Sequence, residues 1–463
     1  MQQVIKQLIE IVSKNKVLTT PEELFCYGYD ATFRNFMPDV VVKPRDRDQV
    51  AAIVKLANEK GIPLYPRGAG TGLSGGSLPV KGGIVIVLTD MNRILEIDRE
   101  NLLAVVQPGV VTAQLHQAAE KEGLFYPPDP ASSDACTIGG NIAECAGGPR
   151  GFKYGVTRDY VLGLEIVSPT GDVLCVGGKT VKNVSGYDLT RLLVGSEGTL
   201  GIITEATLRL IPRPRAVRTL MAVYDDLLKA GEAVVKISTS GVIPATLEIM
   251  DRPTIQCVTR YSGCDLPQDA EAILIIEVDG MESAVAEEAD IVARVCRETG
   301  AREVVAAQKP EDREMIWRAR KAISAALVQI KPTKISEDAT VPRSKVPEII
   351  MKLQQIRDKY GIDLVIFGHA GDGNLHPNII ADENDLEEMQ RVEAAIEEIF
   401  QAAVALGGTL SGEHGIGTLK APFMHLEFGP HELGFMRRIK EALDPKGILN
   451  PGKIFQERGN HVR

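Results

Sequence analysis

The stretch Pro66-Arg67-Gly68-Ala69-Gly70-Thr71-Gly72-Leu73-Ser74-Gly75-Gly76 decides the fold, because glycine recurs at almost every second position. An amphipathic pattern over residues 46–60 predicts a helix before it, and residues 62–65 form a short apolar run typical of a strand. A glycine-rich turn after a strand exposes its backbone N–H groups, and successive N–H groups of this kind form a nest that binds anions. We therefore predict a loop that can bind a pyrophosphate.

The same glycines match a second pattern, which can be excluded. Gly70, Gly72 and Gly75 have the spacing of the dinucleotide fingerprint of a Rossmann fold, but that fingerprint must open a helix. Here Pro79 follows the loop, and another strand is predicted at residues 84–88. The loop thus leads from strand to strand, and a Rossmann fold is excluded.

Two further glycine-rich stretches follow, at residues 127–155 and 195–204. A strand predicted at residues 162–168 separates them. Taken singly, such a stretch is more often a set of tight turns than a ligand site. Three of them in one region indicate a backbone that wraps closely around one large cofactor.

Composition limits the class of protein. The 463 residues, 44% of them hydrophobic and 25% charged, suffice for about three domain-sized units of a globular enzyme. The 52 basic and 62 acidic side chains give a net charge of −10, which argues against a nucleic-acid or anionic-membrane partner. No apolar run approaches the roughly 18 residues of a membrane span, so a cytoplasmic location is expected. The seven cysteines include no Cys-x-x-Cys pair, so we expect no iron–sulfur cluster in this chain.

A histidine hairpin is predicted in Gly368-His369-Ala370-Gly371-Asp372-Gly373-Asn374-Leu375-His376. Asp372-Gly373 between two mostly apolar runs is a strong signal for a two-residue turn. Counting outward from that turn pairs His369 with His376. Directly opposed residues have Cβ atoms roughly 4.5–5.5 Å apart on one face, so the two imidazoles could share one ion.

A third ligand is available in Gly412-Glu413-His414-Gly415. Two histidines and the Glu413 carboxylate, with positions left open, describe a catalytic rather than a structural site for Zn, Fe or Mn. The simpler interpretation is a hairpin with two surface histidines and an unrelated Glu413-His414. Three of the seven histidines fall in these two segments, which favours a metal site. Glu413 and His414 can both serve that site only if the flanking glycines permit a turn.

Together these motifs resemble the FAD-dependent oxidoreductases with a vanillyl-alcohol-oxidase type flavin domain, and within them the D-2-hydroxyacid dehydrogenases. The resemblance runs from about Pro38 to Phe455 and rests on the 67–76 loop, the 369–376 hairpin and Glu413-His414. It implies an α+β fold, with a two-lobed vanillyl-alcohol-oxidase type FAD-binding domain plus an α+β substrate cap domain.

The resemblance also implies that the 67–76 loop binds the FAD pyrophosphate and that the other glycine-rich stretches and the 450–453 segment line the rest of the cofactor. The residues it assigns to FAD are Pro66, Arg67, Gly68, Ala69, Gly70, Thr71, Gly72, Ser74, Gly75, Pro128, Asp129, Ser132, Thr137, Gly139, Gly140, Asn141, Ala143, Gly147, Glu197, Gly201, Ile202, Ile203 and Asn450. No histidine occurs between Gly61 and Gln107, so we expect FAD to be bound non-covalently.

Two residues are assigned to the reaction itself. The resemblance places a substrate-carboxylate arginine three positions after a tryptophan, which is Arg320 on a helix predicted at residues 311–328. A guanidinium fork grips a carboxylate through two N–H groups and would offset the acidic net charge. His414 is expected to take the hydroxyl proton as general base while hydride passes to flavin N5.

The expected activity is oxidation of a D-2-hydroxy acid, D-lactate or glycolate-like, to the 2-oxo acid. The alternatives are D-2-hydroxyglutarate dehydrogenase-like activity and the flavin subunit of a glycolate oxidase complex. The reduced flavin then needs a partner, for which an electron-transferring flavoprotein is the first choice and an iron–sulfur subunit the second. A non-haem iron oxygenase and a non-catalytic electron carrier compete with this interpretation. The first needs no glycine-rich cofactor loops, and the second has no use for Arg320 or the hairpin.

The domain layout is predicted from Ile211-Pro212-Arg213-Pro214-Arg215, whose two prolines interrupt both helix and strand and indicate a hinge. We expect an N-terminal helical segment at residues 1–37 and the FAD-binding domain at 38–215. The substrate and metal cap follows at 216–410. A C-terminal segment at 411–463 is expected to pack back on the flavin domain.

Overall fold

The computed structural model describes residues 1–32 and 34–455. Phe33, in the predicted N-terminal segment, and residues 456–463, in the predicted C-terminal segment, lie outside the described residues. Over its described part the chain divides into two compact units. The first unit contains Met1–Ala146, Val156–Arg213 and the chain from Glu413 onward, and the second contains Gly147–Gly155 and Pro214–Gly412. Both combine helices with sheets, as the α+β prediction requires.

Two sheets form the lobes of the first unit. Within the described residues, one sheet has the strand order Val17–Leu18, Val40–Val42, Ile84–Val87, Leu64–Arg67. The other has the order Ile94–Asp98, Leu103–Val106, Ile202–Arg209, Val161–Val167, Val173–Gly177. The α-helices are Gln2–Val12, Pro21–Phe25, Arg47–Lys60, Thr112–Lys121, Ile138–Glu144, Leu189–Leu193, Met424–Glu427 and Pro430–Leu443, with 3₁₀ turns at Lys14–Lys16, Leu88–Asp90, Thr157–Asp159 and Ala421–Phe423.

The helix before the glycine loop shows how the first lobe is built. Asp46 caps it by accepting a hydrogen bond from the Gln49 N–H at 2.9 Å, and Gly61 ends it in the left-handed conformation. Its buried face packs on the parallel strands Val40–Val42, Ile84–Val87 and Leu64–Arg67. The predicted helix at 46–60 and the strands predicted at 62–65, 84–88 and 162–168 are confirmed, with ends that shift by at most two residues.

The predicted hinge carries a short strand. Ile211–Pro212 pairs with Leu124–Phe125, so the prolines do not exclude strand pairing at this point. The reason is that the pairing is only two residues long, and proline is tolerated at such an edge because its missing N–H costs no ladder hydrogen bond there. The chain passes from the first unit to the second directly afterwards, between Arg213 and Pro214.

A sheet with helices on both faces forms the second unit. Its strand order, within the part that is described, is Glu303–Ala306, Ala216–Tyr224, Ala272–Gly280, Thr246–Asp251, Asp363–His369, Asn374–Ala381, Thr333–Ser336, and Ala339–Thr340 pairs with Asn374–Ala381. The α-helices are Gly151–Tyr154, Leu227–Ser238, Arg252–Ser262, Glu282–Glu298, Pro310–Leu327, Val346–Tyr360 and Leu386–Ala405, with a 3₁₀ turn at Arg343–Lys345. None of the described helices is long and apolar enough to cross a membrane.

Strand alternation separates the two faces of this sheet. Successive side chains on a strand point to opposite sides, so Ile273 and Ile275 join one core while Leu274 joins the other. Phe367 belongs to the same core as Ile273 and Ile275, and helix Pro310–Leu327 contributes to it. We call the face that carries Phe367, Ile273 and Ile275 the site face.

Candidate active site

The histidine hairpin has a different register from the predicted one. Its strands pair His369 with Asn374 and Phe367 with His376, so the two histidines are not directly opposed, and the predicted two-residue turn is wrong. Residues 370–373 form the connection instead. This wider connection forms hydrogen bonds with two other segments of the protein. The Gly371 N–H donates to the Leu247 carbonyl at 2.9 Å, and the Gly373 carbonyl accepts from the Val341 N–H at 3.0 Å.

The two histidines nevertheless share one face. The register differs from the predicted one by two residues, and strand side chains alternate with a period of two, so neither ring changes sides. As diagonal neighbours, His369 and His376 have ring centroids 4.9 Å apart. One ring nitrogen of each lies within 4.8 Å of the other, and both side chains are buried. Two imidazoles at this separation can bind one ion.

Each histidine has a buried carboxylate beside its Nδ1. Glu248 Oε1 lies 2.6 Å from His369 Nδ1, and Asp338 Oδ1 lies 3.3 Å from His376 Nδ1. An ionised carboxylate can only accept a hydrogen bond, so Nδ1 of His369 is the donor, and Nε2 is the nitrogen that can bind an ion. Metal-binding histidines are oriented in this way, with the second nitrogen held by a carboxylate. The residues present therefore fit a divalent ion.

Strand pairing explains why Glu248 meets His369. Strand Thr246–Asp251 is antiparallel to Asp363–His369, with Ile249 opposite Gly368 and Met250 opposite Phe367. The next step of this register brings Glu248 to His369. Burial disfavours the charged carboxylate, yet His369 and Arg320 beside it hold the pKa of Glu248 below its usual value.

Arg320 joins the same cluster from helix Pro310–Leu327, which confirms the predicted helix. Only 8% of Arg320 is exposed, and its guanidinium lies 5.1 Å from the centre of the Phe367 ring. Its Nε and Nη2 lie 2.7 and 2.6 Å from Glu248 Oε2. The structure therefore brings Arg320 to the histidine pair with one edge of the guanidinium already engaged.

Sequence reasoning missed both carboxylates. Glu248 is the one charged residue within the apolar run 247–250, and a charge in a buried strand is a signal that a partner must exist. Asp338 lies in the short connection between strands Thr333–Ser336 and Ala339–Thr340 and is fully buried. Neither residue stands next to a histidine in the sequence, so local patterns gave no reason to choose them.

Glu413 and His414 open the last part of the first unit, directly after Gly412 of the second. Asp338 Oδ2 accepts hydrogen bonds from the Gly412 N–H at 3.1 Å and from Ser411 Oγ at 2.9 Å. Gly412, the residue before Glu413, is thus held against Asp338, whose other carboxylate oxygen lies beside His376. Residues 412–414 form a bend and Gly415 has φ +82°, so the turn that the two adjacent side chains require is present.

Parts of all three glycine-rich stretches meet in the first unit. A methyl group at Gly68 would lie 2.3 Å from Thr137 Oγ1, and one at Gly198 would lie 2.4 Å from Pro66 Cγ. The first contact joins the first and second stretches, and the second joins the first and third. The Thr137 and Pro66 side chains lie so close to these two positions that a Cβ would clash with them, which explains the glycines.

Buried polar atoms near this loop lack partners in the described part of the chain: Ser74 Oγ, Thr418 Oγ1 and Asn450 Oδ1. Asn450 Nδ2 donates to the Gly76 and Glu197 carbonyls at 2.8 and 2.6 Å, so the 450–453 segment returns to the loop. Buried polar atoms without partners are rare in native proteins. They fit a large polar ligand such as FAD.

Buried charges lie beside the same loop. Burial lowers the pKa of Arg67, and it lowers the pKa of Lys453 to about 7. The Glu197 carboxylate accepts hydrogen bonds from the Ile416 and Gly417 N–H groups at 2.7 Å each, although burial still raises its pKa. Two basic groups near the loop suit an anionic ligand.

The remaining residues predicted for FAD divide between the units. Gly147 belongs to the second unit. The first unit contains Ala69, Gly70, Thr71, Gly72, Gly75, Pro128, Asp129, Ser132, Gly139, Gly140, Asn141, Ala143, Gly201, Ile202 and Ile203.

A unit of two sheets with converging glycine-rich stretches, joined to a unit of helices on both faces of a sheet, defines a two-domain flavoprotein. Residues 38–188 match the family described as FAD binding domain, and residues 213–454 match FAD linked oxidases, C-terminal domain. The chain belongs to the FAD-linked oxidases with a vanillyl-alcohol-oxidase type flavin domain, and it is an FAD-dependent oxidoreductase.

Curated relatives agree with this assignment, and a solved structure shares the fold. The chain is 47% identical to glycolate oxidase subunit GlcD of Bacillus subtilis, over 97% of this chain and 96% of the relative. It is 38% identical to D-lactate dehydrogenase of Anaerostipes hadrus, over 98% and 97%. The fold resembles that of 4-ethylphenol oxidase from Gulosibacter chungangensis, with a TM-score of 0.81 at 21% identity, covering 99% of this chain and 98% of that one.

Proposed function

We propose that the protein oxidises a D-2-hydroxy acid, D-lactate or glycolate-like, to the 2-oxo acid with FAD as the hydride acceptor. One observation carries the proposal: on the site face of the cap, His369 and Arg320 both contact Glu248, and His376 lies beside His369. In such a cluster, Arg320 can bind the carboxylate of a 2-hydroxy acid, and an ion held by the histidines can bind its hydroxyl group. The names of the two relatives, a glycolate oxidase subunit and a D-lactate dehydrogenase, support this substrate class.

Each residue of the site has a separate task in this reaction. Arg320 binds the substrate carboxylate through the N–H groups that Glu248 does not engage. His369, His376 and Glu413 would hold a divalent ion, which lowers the pKa of a hydroxyl group bound to it. His414 accepts the hydroxyl proton, a role worth roughly 10²–10⁴-fold. Bound FAD supplies the hydride acceptor, N5 of its ring.

The electrons must then leave the flavin. We propose a separate electron-transferring flavoprotein as acceptor, with an iron–sulfur subunit as the alternative. The relative named as a subunit of glycolate oxidase supports a partner subunit for this chain. A cytoplasmic location remains part of this proposal.

Anaerobic titration with D- and L-2-hydroxy acids tests the proposed function. The panel should include D-lactate, glycolate, D-2-hydroxyglutarate and L-lactate, and flavin absorbance should be followed. We expect D-lactate or glycolate to bleach the flavin stoichiometrically and L-lactate to leave it oxidised. Bleaching by D-2-hydroxyglutarate alone would move the substrate to the longer diacid. A flavin that stays oxidised with every acid would contradict the proposal.

A further inference from the structure

We propose that Glu248 is a positioning residue that sets two parts of the site at once, the tautomer of His369 and the orientation of Arg320. The role of Arg320 rests on the proposed function, whereas the effect on His369 does not. Glu248 is fully buried on strand Thr246–Asp251. Its two carboxylate oxygens contact His369 and Arg320, so it acts through these two neighbours.

The carboxylate divides its oxygens between those neighbours. Oε1 lies 2.6 Å from His369 Nδ1, and Oε2 lies 2.7 Å from Arg320 Nε and 2.6 Å from Nη2. Removing one partner of a buried ion pair leaves an uncompensated charge, so each neighbour depends on Glu248 for its position. The Phe367 ring lies beside the guanidinium, with its centre 5.1 Å from Arg320 Cζ.

For His369, the consequence is a single tautomer. The carboxylate holds the proton on Nδ1, which leaves Nε2 as the ligand atom. Loss of such a carboxylate typically lowers metal affinity by about 10–100-fold. Glu248 thus adds to ion binding without being a ligand.

For Arg320, the consequence is a fixed division of its N–H donors. The Nε side of the guanidinium serves Glu248, and the outer edge, formed by Nη1 and the second Nη2 hydrogen, is left for an incoming carboxylate. One residue therefore links ion binding to carboxylate binding. A change at Glu248 should weaken both.

The chain offers a matched control in Glu277. Glu277 is buried on the neighbouring strand, directly opposite Thr246, and therefore lies on the same face of the sheet as Glu248. Like Glu248 it binds an arginine, because its Oε1 lies 2.6 Å from Arg313 Nε. It accepts a hydrogen bond from Trp317 Nε1 at 2.7 Å as well, so it holds the helix that carries Arg320. Glu277→Gln therefore reports on a disturbed sheet and helix without removing the carboxylate beside His369.

The first test uses metal-free protein loaded with FAD. NMR of the histidine ring nitrogens gives the tautomer of His369, identified by comparison with His369→Asn, and calorimetry gives the affinity for Zn²⁺. We expect His369 in Glu248→Gln to lose the Nδ1-protonated tautomer, and we expect the Zn²⁺ affinity of this variant to fall by about 10–100-fold. Glu277→Gln should keep the tautomer and the Zn²⁺ affinity of the wild-type protein. An unchanged tautomer and affinity in Glu248→Gln would overturn the proposal, and so would an equal loss in Glu277→Gln.

The second test measures steady-state kinetics with D-lactate at saturating Zn²⁺. Glu248→Gln should raise KM by about tenfold or more, because the guanidinium loses the partner that aims it, and Glu277→Gln should not. An equal KM in wild type and Glu248→Gln would overturn the part that concerns Arg320. If none of the hydroxy acids reduces the flavin of the wild-type protein, the proposed function fails. The tautomer and Zn²⁺ measurements would still decide the role of Glu248.

Discussion

The histidine hairpin of the second unit and the glycine-rich stretches of the first unit obtain their geometry in opposite ways. In the hairpin, the side chains of Glu248, His369 and His376 are placed by the register of three adjacent strands. In the stretches, the decisive feature is the missing side chain, because Gly68 and Gly198 allow contacts that no Cβ permits. The hairpin depends on the side chains it carries, whereas the glycine-rich stretches depend on positions where neighbouring side chains leave no room for a Cβ.

This difference predicts two kinds of failure. Substitutions in the hairpin should remove a ligand and leave the fold, since the strand ladder is made by the backbone. Substitutions at the close-packed glycines should disturb the fold and the cofactor together. Measurements on variants of both regions can test this difference.

The largest effect is expected in the hairpin. His369→Ala or His376→Ala should abolish bound metal and turnover while the flavin spectrum stays that of wild type, because the predicted FAD residues lie almost entirely in the other unit. Metal analysis and absorbance spectra give the answer. His431→Ala, on an exposed position of helix Pro430–Leu443, is the control. Full metal content and activity in either hairpin variant would refute the shared ion.

The next effect separates a base from a ligand. His414→Asn should keep FAD, metal and substrate binding but lose roughly 10²–10⁴-fold in the rate of flavin reduction, the range for removing one positioned base. Glu413→Gln should weaken metal binding instead, and added metal should partly restore its activity. Stopped-flow bleaching and metal analysis on both variants test this. Metal loss in the His414 variant with normal metal in the Glu413 variant would reverse the two roles.

A smaller effect is expected at the glycines. Gly198 has φ +65° and a methyl group there would meet Pro66, so Gly198→Ala should destabilise the protein by about 2–5 kcal/mol and lower FAD content. A methyl group at Gly72 would have no atom within 4 Å, so Gly72→Ala should fold like the wild-type protein and only bind FAD less tightly.

Thermal unfolding and the FAD released by acid precipitation measure both glycine effects. All FAD should appear in the supernatant, because no histidine is available for a covalent link in the 67–76 loop. Equal stability of the two glycine variants would break the contrast drawn above.

The smallest effect concerns Lys453. Its folded pKa of about 7 lies below the ordinary value, so above that pH the unfolded chain binds a proton that the folded protein does not. Stability contributed at this site therefore rises with pH from about 7 to about 10. Lys453→Met should remove this rise, which Tm values at both ends of the window would show. Exposed Lys446→Met is the control, and an identical pH dependence in wild type and Lys453→Met would contradict the buried state of the amine.

Local patterns in the sequence predicted the elements and faces, but not the contacts between distant strands. The helix ending at Lys60 and the strand before the glycine loop could be predicted because capping residues and apolar periodicity are local signals. The hairpin register could not, since Leu247 and Val341 lie far from the turn in the sequence and widen it. The face of the histidines was still predicted correctly, because an error of two residues preserves strand alternation.

Glu248 illustrates the same limit more strongly. It lies 121 positions before His369, and only the pairing of strand Thr246–Asp251 with the hairpin brings them together. No spacing rule covers such a distance. The two segments that carry the predicted metal ligands were chosen because each has its own glycine-flanked histidine.

The Gly147–Gly155 segment has a consequence for modularity. Lys153 Nζ and Tyr154 OH donate to Asp279 Oδ1 at 2.5 and 2.9 Å, and Phe152 fills the space beside Gly371. The second unit is therefore encoded in two separate parts of the gene, and a fragment that covers residues 214–412 alone would leave the buried Asp279 without its cation. An exchange of the second unit between relatives has to transfer residues 147–155 together with residues 214–412, or the transferred unit will carry a buried Asp279 without Lys153.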